Sequence, residues 1–199
     1  MGAGGHAKVI ADAILASSHQ SIFGFFDDDD SLWKSEIFGI PVLGPIRGWQ
    51  NHVMDACVIG IGRNAVRRSL YDQIKTAGAK FATVVHPRAV IGRGVTIGDG
   101  VVVFANVVVN ADTTIGPNCI LNTACSVDHD CSVGAHSHLA PGVVVAGEVR
   151  IGEQAFIGAG AKIIPQIRVG DRSVVGAGAV VIRDVAAAAK VVGVPARPI

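Results

Sequence analysis

A parallel β-solenoid standing behind a small α/β domain is the fold this sequence predicts, and three observations predict it. Residues 89–184 divide into sixteen consecutive hexads with no insertion. The third place of every hexad is Val, Ile or Leu, from Ile91 and Ile97 through to Val175 and Val181. Residues 1–82 keep a different rhythm, in which apolar runs alternate with stretches at helical spacing.

The hexad is read first because a fixed period governs the whole architecture. Its first place is small or β-branched and its fourth is most often Gly. A period of two within each hexad turns the first and third places inward. Gly or Asn at the fourth place is expected to take the positive φ of a corner. Three such faces close a coil of eighteen residues. Coils pair through the backbone about 4.8 Å apart, so about five coils make a prism roughly 25 Å tall. Each coil buries its aliphatic residues only against its neighbours, and the array is stable as a stack. A flat sandwich would place turn signals every 8–12 residues; here they recur every six. Residues 83–88 already fit the frame, giving a solenoid domain over 83–184 and a C-terminal tail over 185–199.

The N-terminal domain, residues 1–82, is built from alternating elements. Residues 7–17 read as a helix and 21–26 as a strand ending at the acidic run 27–30. Residues 55–61 and 80–85 read as further strands, with a helix between them capped by Asn64 and running to about residue 77. Such alternation predicts a small parallel sheet. The opening Gly2-Ala3-Gly4-Gly5-His6-Ala7 has the form G-x-G-x-x-A, and Asp27 lies twenty residues after Ala7. Glycines there let backbone N–H groups approach a phosphate at a helix N-terminus, and the acidic residue can accept from a ribose or base. A tight turn in a packed α/β unit is the alternative. The fingerprint ordinarily follows a strand. Here it opens the chain, so the expectation is that this strand lies upstream of Met1 or that another segment takes its place.

Composition narrows the function. Only 17% of the 199 residues are charged and the net charge is +1, which leaves no footprint for nucleic acid or an anionic membrane surface. No apolar run is long enough for a membrane span. There is no basic segment followed by an unbroken apolar core, and a cytoplasmic protein is expected. Of the four cysteines, Cys119, Cys125 and Cys131 are six apart. That spacing puts them on three different faces, inward, as small reduced core residues rather than metal ligands.

Ionisable groups are scarce in the solenoid, so Asp128-His129-Asp130 stands out. His129 falls at a fifth place, at a corner, and should point outward. A carboxylate beside it suits a general base, because it holds the tautomer and stabilises the imidazolium. His136 and His138 follow at a sixth and a second place, so the three project differently and do not form a zinc set. His138 should sit in the middle of a face two hexads on. One prism cannot bring it and His129 to a common thioester, whereas three prisms about a threefold axis could.

The segment CILNTACSVDHDCSVGAHSHLAPGVVVAG resembles the active-site coil of the hexapeptide-repeat sugar acetyltransferases, of the sialic-acid O-acetyltransferase and bacillosamine-pathway N-acetyltransferase type. The GAGGHAKVI opening and the FFDD, IGIGRN and VVGVPAR segments fall in that family's order. The resemblance implies a left-handed parallel β-helix preceded by a Rossmann-like domain, acetyl-CoA as co-substrate with no metal, and a homotrimer with shared active sites. It implies His129 as general base, oriented by Asp130, which stands where some relatives have Glu. It further implies His138, Gly147, Ala159 and Ala177 along the coenzyme groove. A nucleotide-sugar pocket would use Gly4, Gly5, His6, Asp27, Asp28, Gly62, Arg63 and Asn64. The expected reaction is direct N-acetylation of a nucleotide-linked amino sugar. O-acetylation of a sugar hydroxyl, a nicotinamide-dependent activity at the glycine loop and a non-catalytic solenoid stay open as alternatives.

Overall fold

The computed structural model describes residues 1–17 and 20–199. The solenoid is a three-sided prism of parallel strands, each two residues long at the second and third places of a hexad. Strands eighteen residues apart pair in register: Ile120 lies between Val102 and His138, Ser126 between Val108 and Val144, and Ser132 between Thr114 and Arg150. From Val103 onward every third-place side chain is 3% exposed or less. From Val101 onward the first places are buried as well, and at two of the polar ones the hydroxyl finds backbone, while the buried Ser173 hydroxyl has no partner among the described residues. Thr113 Oγ1 donates to the Asp128 carbonyl at 2.7 Å and Ser137 Oγ to the Gly152 carbonyl at 2.7 Å.

The corner works differently from the expectation. Positive φ falls at the sixth place, at Gly94, Asn106, Asp112, Asn118, Asp130 and His136 among others, and not at the fourth. The fourth-place glycines are required by close approach. A Cβ on Gly134 would stand 2.6 Å from the backbone nitrogen of Glu153 in the next coil. At these glycine corners the coils touch too closely for a Cβ, while other fourth places, such as Phe104, Asn122 and Ile164, carry side chains.

The three faces differ in what covers them. The first carries Val84, Val102, Ile120 and His138 outward and is covered by the N-terminal domain. Ile10 and Ala13 of helix α1 (Gly5–Leu15) pack on Val84, Val102, Phe104 and Ile120. Burying an aliphatic or aromatic side chain in this way contributes about 1.5–3 kcal/mol. The second face presents Val90, Val108, Ser126, Val144, Lys162 and Val180, of which Val90 is 60% and Val144 42% exposed. The third presents Thr96, Thr114, Ser132, Arg150 and Arg168. Stacking does not stop at residue 184. Val185 pairs with Val169, Lys190–Val192 pairs with the strand at Val174–Val175, and Arg197–Pro198 turns back antiparallel on it.

In the N-terminal domain, strand β1 (Phe25–Phe26) is parallel to β3 (Ile40–Gly44), but β2 (Glu36–Ile37) is antiparallel to β3. The all-parallel expectation is corrected by this hairpin. Its two-residue turn, Phe38-Gly39, has φ of 55° and 74°. Such turns usually read Asn-Gly or Asp-Gly, and Phe hid the signal. The strand expected over 21–26 shrinks to β1, and the runs at 55–61 and 80–85 meet through a single bridge, Cys57 with Phe81. Met1 and Gly2 lie between β1 and residues 58–60. Gly2 N donates to the Phe26 carbonyl at 2.7 Å, the Met1 ammonium to the Val58 carbonyl at 2.7 Å, and Gly60 N to the Met1 carbonyl at 2.6 Å. Helix α2 (Asn64–Thr76) is capped by Arg63, not Asn64, and without a side-chain bond. The Asn64 amide points instead to the solenoid, donating to the Gln154 and Ala155 carbonyls at 2.9 and 3.0 Å.

Gly134→Ala is expected to destabilise the fold by about 1–3 kcal/mol, as overpacking does. Gly160→Ala should cost about 1–2 kcal/mol for its left-handed φ alone, since a Cβ there meets nothing within 4 Å. Urea midpoints of the two variants test the distinction.

Candidate active site

The corner between the second and third faces carries His129. Asp130 takes the left-handed conformation of its sixth place, with φ of 57°, and its carboxylate turns back to the ring. Oδ2 lies 2.7 Å from His129 Nδ1. Nδ1–H therefore donates to Asp130, and Nε2 is left as the basic nitrogen. That bond raises the His129 pKa, with smaller contributions from Asp128, Asp130 and Glu148. The backbone is fixed by Asp128, whose Oδ1 accepts from His129 N at 2.8 Å and from Asn110 Nδ2 at 2.8 Å. Both His129 and Asp130 are exposed.

Gly147 stands one coil above, eighteen residues on, and leaves the ring uncovered. A Cβ there would lie 2.7 Å from His129 Nε2. Its φ is unexceptional, so the backbone accepts Ala and the imidazole does not. Ala159 and Ala177 occupy fifth places at the other corner, between the first and second faces. Three of the four expected coenzyme residues are thus divided between two corners of one prism.

The fourth, His138, is elsewhere again. It lies on the first face, in a cavity of about 920 Å³ lined by Gly4, Gly5, His6, Asp27, Gly62, Arg63 and Asn64, and His129 is not in that wall. His138 Nδ1 donates to the Gly62 carbonyl at 3.3 Å, and Nε2 accepts from Asn122 Nδ2 at 3.2 Å. The amide is oriented by Thr123 N, which donates to Asn122 Oδ1 at 2.8 Å. Both imidazole nitrogens of His138 are therefore engaged within the chain. His6 stands beside it, ring centroids 6.2 Å apart and edge-on to Phe104. Burial, helped by the Arg67 charge, lowers both pKa values to about 4. The cavity thus holds two neutral imidazoles.

The acidic pair separates. Asp27 enters the cavity wall, but its carboxylate is already spent on the loop: Oδ2 accepts from Ala3 N at 2.7 Å and Oδ1 from Asp29 N at 2.9 Å. Asp28 faces a neighbouring depression with Trp33, Arg47 and Trp49, and its Oδ1 accepts from Ile46 N at 2.9 Å. The expectation that both acids line one pocket is corrected, because adjacent residues at a strand end point to opposite sides. His136 is buried and bonded through Nδ1 to Asn118 Nδ2 at 2.8 Å, away from both other histidines. The sequence reading missed Gln154, Phe156 and Arg172 in the cavity wall. Phe156 was findable, since it stacks eighteen residues above His138, with ring centroids 5.3 Å apart.

Two clusters on this geometry, an exposed His–carboxylate corner on a hexapeptide prism and a glycine-loop cavity on an α/β domain, define a class that known proteins share. Residues 1–74 match the PglD N-terminal domain family, 148–183 the bacterial transferase hexapeptide family and 88–111 the hexapeptide repeat of succinyl-transferase. PerB from Caulobacter crescentus, solved in complex with CoA and GDP-perosamine, is 37% identical; the match covers 100% of this chain and 94% of PerB with a TM-score of 0.93. The acetyltransferase domain of PglB from Neisseria gonorrhoeae, solved also with acetyl coenzyme A, is 35% identical, with 100% and 97% coverage and a TM-score of 0.94. UDP-N-acetylbacillosamine N-acetyltransferase of Bacillus subtilis is 34% identical over 109 residues, 53% of this chain and 50% of that protein. The chain thus spans about half the length of this curated relative. It is a left-handed parallel β-helix with a Rossmann-like domain in front. The chain belongs to the hexapeptide-repeat N-acetyltransferases of amino sugars.

On the reading of His129 as a general base, Gly147→Ala is expected to lower kcat/KM by about 10²-fold through displacement of the ring, while the unfolding temperature stays near wild type because the clash is at the surface. For Asp130→Asn the sign follows from the raised His129 pKa. As a general base His129 would have to be neutral to accept a proton, so activity should fall below its pKa. Removing the carboxylate lowers that pKa, and the acid limb of the kcat/KM profile should move to lower pH with a reduced plateau.

Proposed function

We propose that this protein is an acetyl-CoA-dependent N-acetyltransferase that acylates the amino group of a nucleotide-linked amino-deoxysugar by direct transfer. The observation that carries the reading is the exposed His129, held by Asp130 and left open by Gly147. His129 Nε2 takes a proton from the sugar amine as its nitrogen attacks the thioester carbonyl. The tetrahedral intermediate collapses, the C–S bond breaks, and the imidazolium returns its proton to the departing thiolate, leaving an amide and CoA. A backbone N–H facing the carbonyl oxygen would stabilise the oxyanion. His138 is unsuited to that task while its Nδ1–H serves Gly62. Its surroundings fit a wall of the sugar-nucleotide cavity better. Direct transfer is supported by the cysteines, all four of them buried, with burial pushing Cys119 and Cys125 up to about 12. A thiol so reluctant to ionise is a poor acyl carrier. The nucleotide is read as seated on Gly4, Gly5, His6, Asp27, Gly62, Arg63 and Asn64. Asp28 would act from the adjoining depression. The bound sugar nucleotide of PerB supports this acceptor class.

The working unit is proposed to be a homotrimer with a groove between chains. His129 and Gly147 lie at one edge of the second face, Ala159 and Ala177 at the other. The outer row between them is Val90, Val108, Ser126, Val144, Lys162 and Val180, of which Val90 and Val144 are exposed in the chain. Threefold packing would cover that row and set one chain's His129 corner against its neighbour's Ala159–Ala177 corner.

Acetyl transfer to GDP-perosamine, with a hydroxyl-only sugar nucleotide as control, tests the chemistry. His129→Ala should lower kcat by about 10²–10⁴-fold and leave folding intact, and near-normal activity would refute the base assignment. Inactive His129→Ala and His138→Ala chains, unfolded together and refolded as mixed trimers, should regain activity where grooves are shared. A monomeric mass by light scattering for an active preparation would end the trimer reading.

A further inference from the structure

One side chain beside the glycine-loop cavity has no role in the scheme above. Arg67 is 1% exposed. Among the described residues it has no carboxylate partner, since the ion pairs there are Arg68 with Asp72 and His129 with Asp130. A buried cation in that state is costly unless each of its donors is met. Here they are met by six acceptors. Nε donates to the Asn118 carbonyl at 3.0 Å. Nη1 donates to the carbonyls of Ile61 at 3.2 Å and Gly62 at 3.0 Å. Nη2 donates to Asn64 Oδ1 at 2.9 Å and to the carbonyls of His136 at 2.7 Å and Ser137 at 3.3 Å.

These acceptors belong to three segments, all of which meet at this one side chain. Residues 61–64 form the turn that enters α2 and lines the cavity. Asn118 and His136 are sixth-place corners of successive coils, and Ser137 leads directly into His138. Two of the acceptors are shared with the cavity wall. The Gly62 carbonyl takes one hydrogen bond from Arg67 and a second from His138 Nδ1. Asn64 takes one from Arg67 while its own amide donates to Gln154 and Ala155, beside Phe156. Arg67 thus holds the group that sets the His138 tautomer and the group that sets the edge of the turn.

We propose that Arg67 is a positioning residue for the transfer reaction: its guanidinium locks the 61–64 turn of the α/β domain to the coils that present His138, and so fixes the shape of the sugar-nucleotide cavity. A planar fork suits three segments at different angles, which an ammonium with three donors on a flexible stem cannot span. If holding the domains together were the whole purpose, an apolar side chain of similar volume would serve, as it does for many buried ion pairs. Helix α2 already packs Tyr71 and Ile74 inward for that. The assignment rests on reading the cavity as the sugar-nucleotide site.

The test uses full-length Arg67→Met and Arg67→Lys. With GDP-perosamine and acetyl-CoA, both variants should raise KM for the sugar nucleotide about tenfold or more and lower kcat/KM by about 10²-fold. KM for acetyl-CoA should stay within about twofold, and Lys should not rescue. In the ¹⁵N-histidine spectrum without ligand, the His138 signal, identified by its loss in His138→Asn, should change from a single Nδ1–H tautomer to a mixture. This spectrum judges the positioning even if the wild type transfers acetyl to another acceptor, so the two readings fail separately. Variants with a lower unfolding temperature but unchanged constants and an unchanged His138 signal would make Arg67 a structural staple and overturn the proposal. If neither variant folds, Asn64→Ala removes the shared side-chain acceptor. A normal KM for the sugar nucleotide and a normal His138 signal in that protein would overturn the proposal equally.

Discussion

The in-register pairing of stacked coils is the constraint on which this structure depends. A coil of eighteen residues closes three faces, and where the fourth place of a hexad is Gly it comes into close contact with the coil above it. At those glycines the contact leaves no space for a Cβ, and the backbone ladder between coils sets the pitch. It also makes position in the sequence equivalent to position in space, because each residue stands directly over the one eighteen before it. His129 and Gly147 are such a pair, and so are His138 and Phe156. The site chemistry follows from that regularity: an imidazole needs an empty storey above it, and the repeat supplies one wherever a fifth place is Gly.

Electrostatics divides the two histidines that the sequence offered as a pair. His129 is exposed, bonded to a carboxylate and made more basic. His138 is buried near Arg67 and made much less so. The same residue type nine positions apart is tuned in opposite directions, by a carboxylate in one case and by desolvation in the other. The fold keeps an exposed, more basic imidazole and a buried, neutral one on different sides of the prism.

The solenoid was legible because its signal is periodic and local. Burial of the first and third places, the outward His129 and the inward cysteines all follow from counting by six. The corner chemistry was misread, because Gly is favoured for two physical reasons, left-handed φ and close approach, and spacing alone does not separate them. The α/β domain was legible in its helices but less so in its strands, which are two to five residues long. Asn64 reads as a cap from its neighbours in sequence, yet its partners are ninety residues away. Arg67 carried no signal at all. A basic residue on a helix reads as solvated, and only the arrival of carbonyls from two distant coils, at Asn118 and at His136–Ser137, makes it a core residue.

The register of the prism also governs how such a chain can change length. Eighteen inserted residues would add a storey and return every later side chain to its own face. Six would turn everything beyond the insertion by one face. An insertion of six between His129 and Gly147 would bring a different storey over the imidazole and carry the Ala159–Ala177 corner round the prism. Growth by whole coils is therefore compatible with keeping this site, and growth by single hexads is not, although each hexad alone would fold equally well.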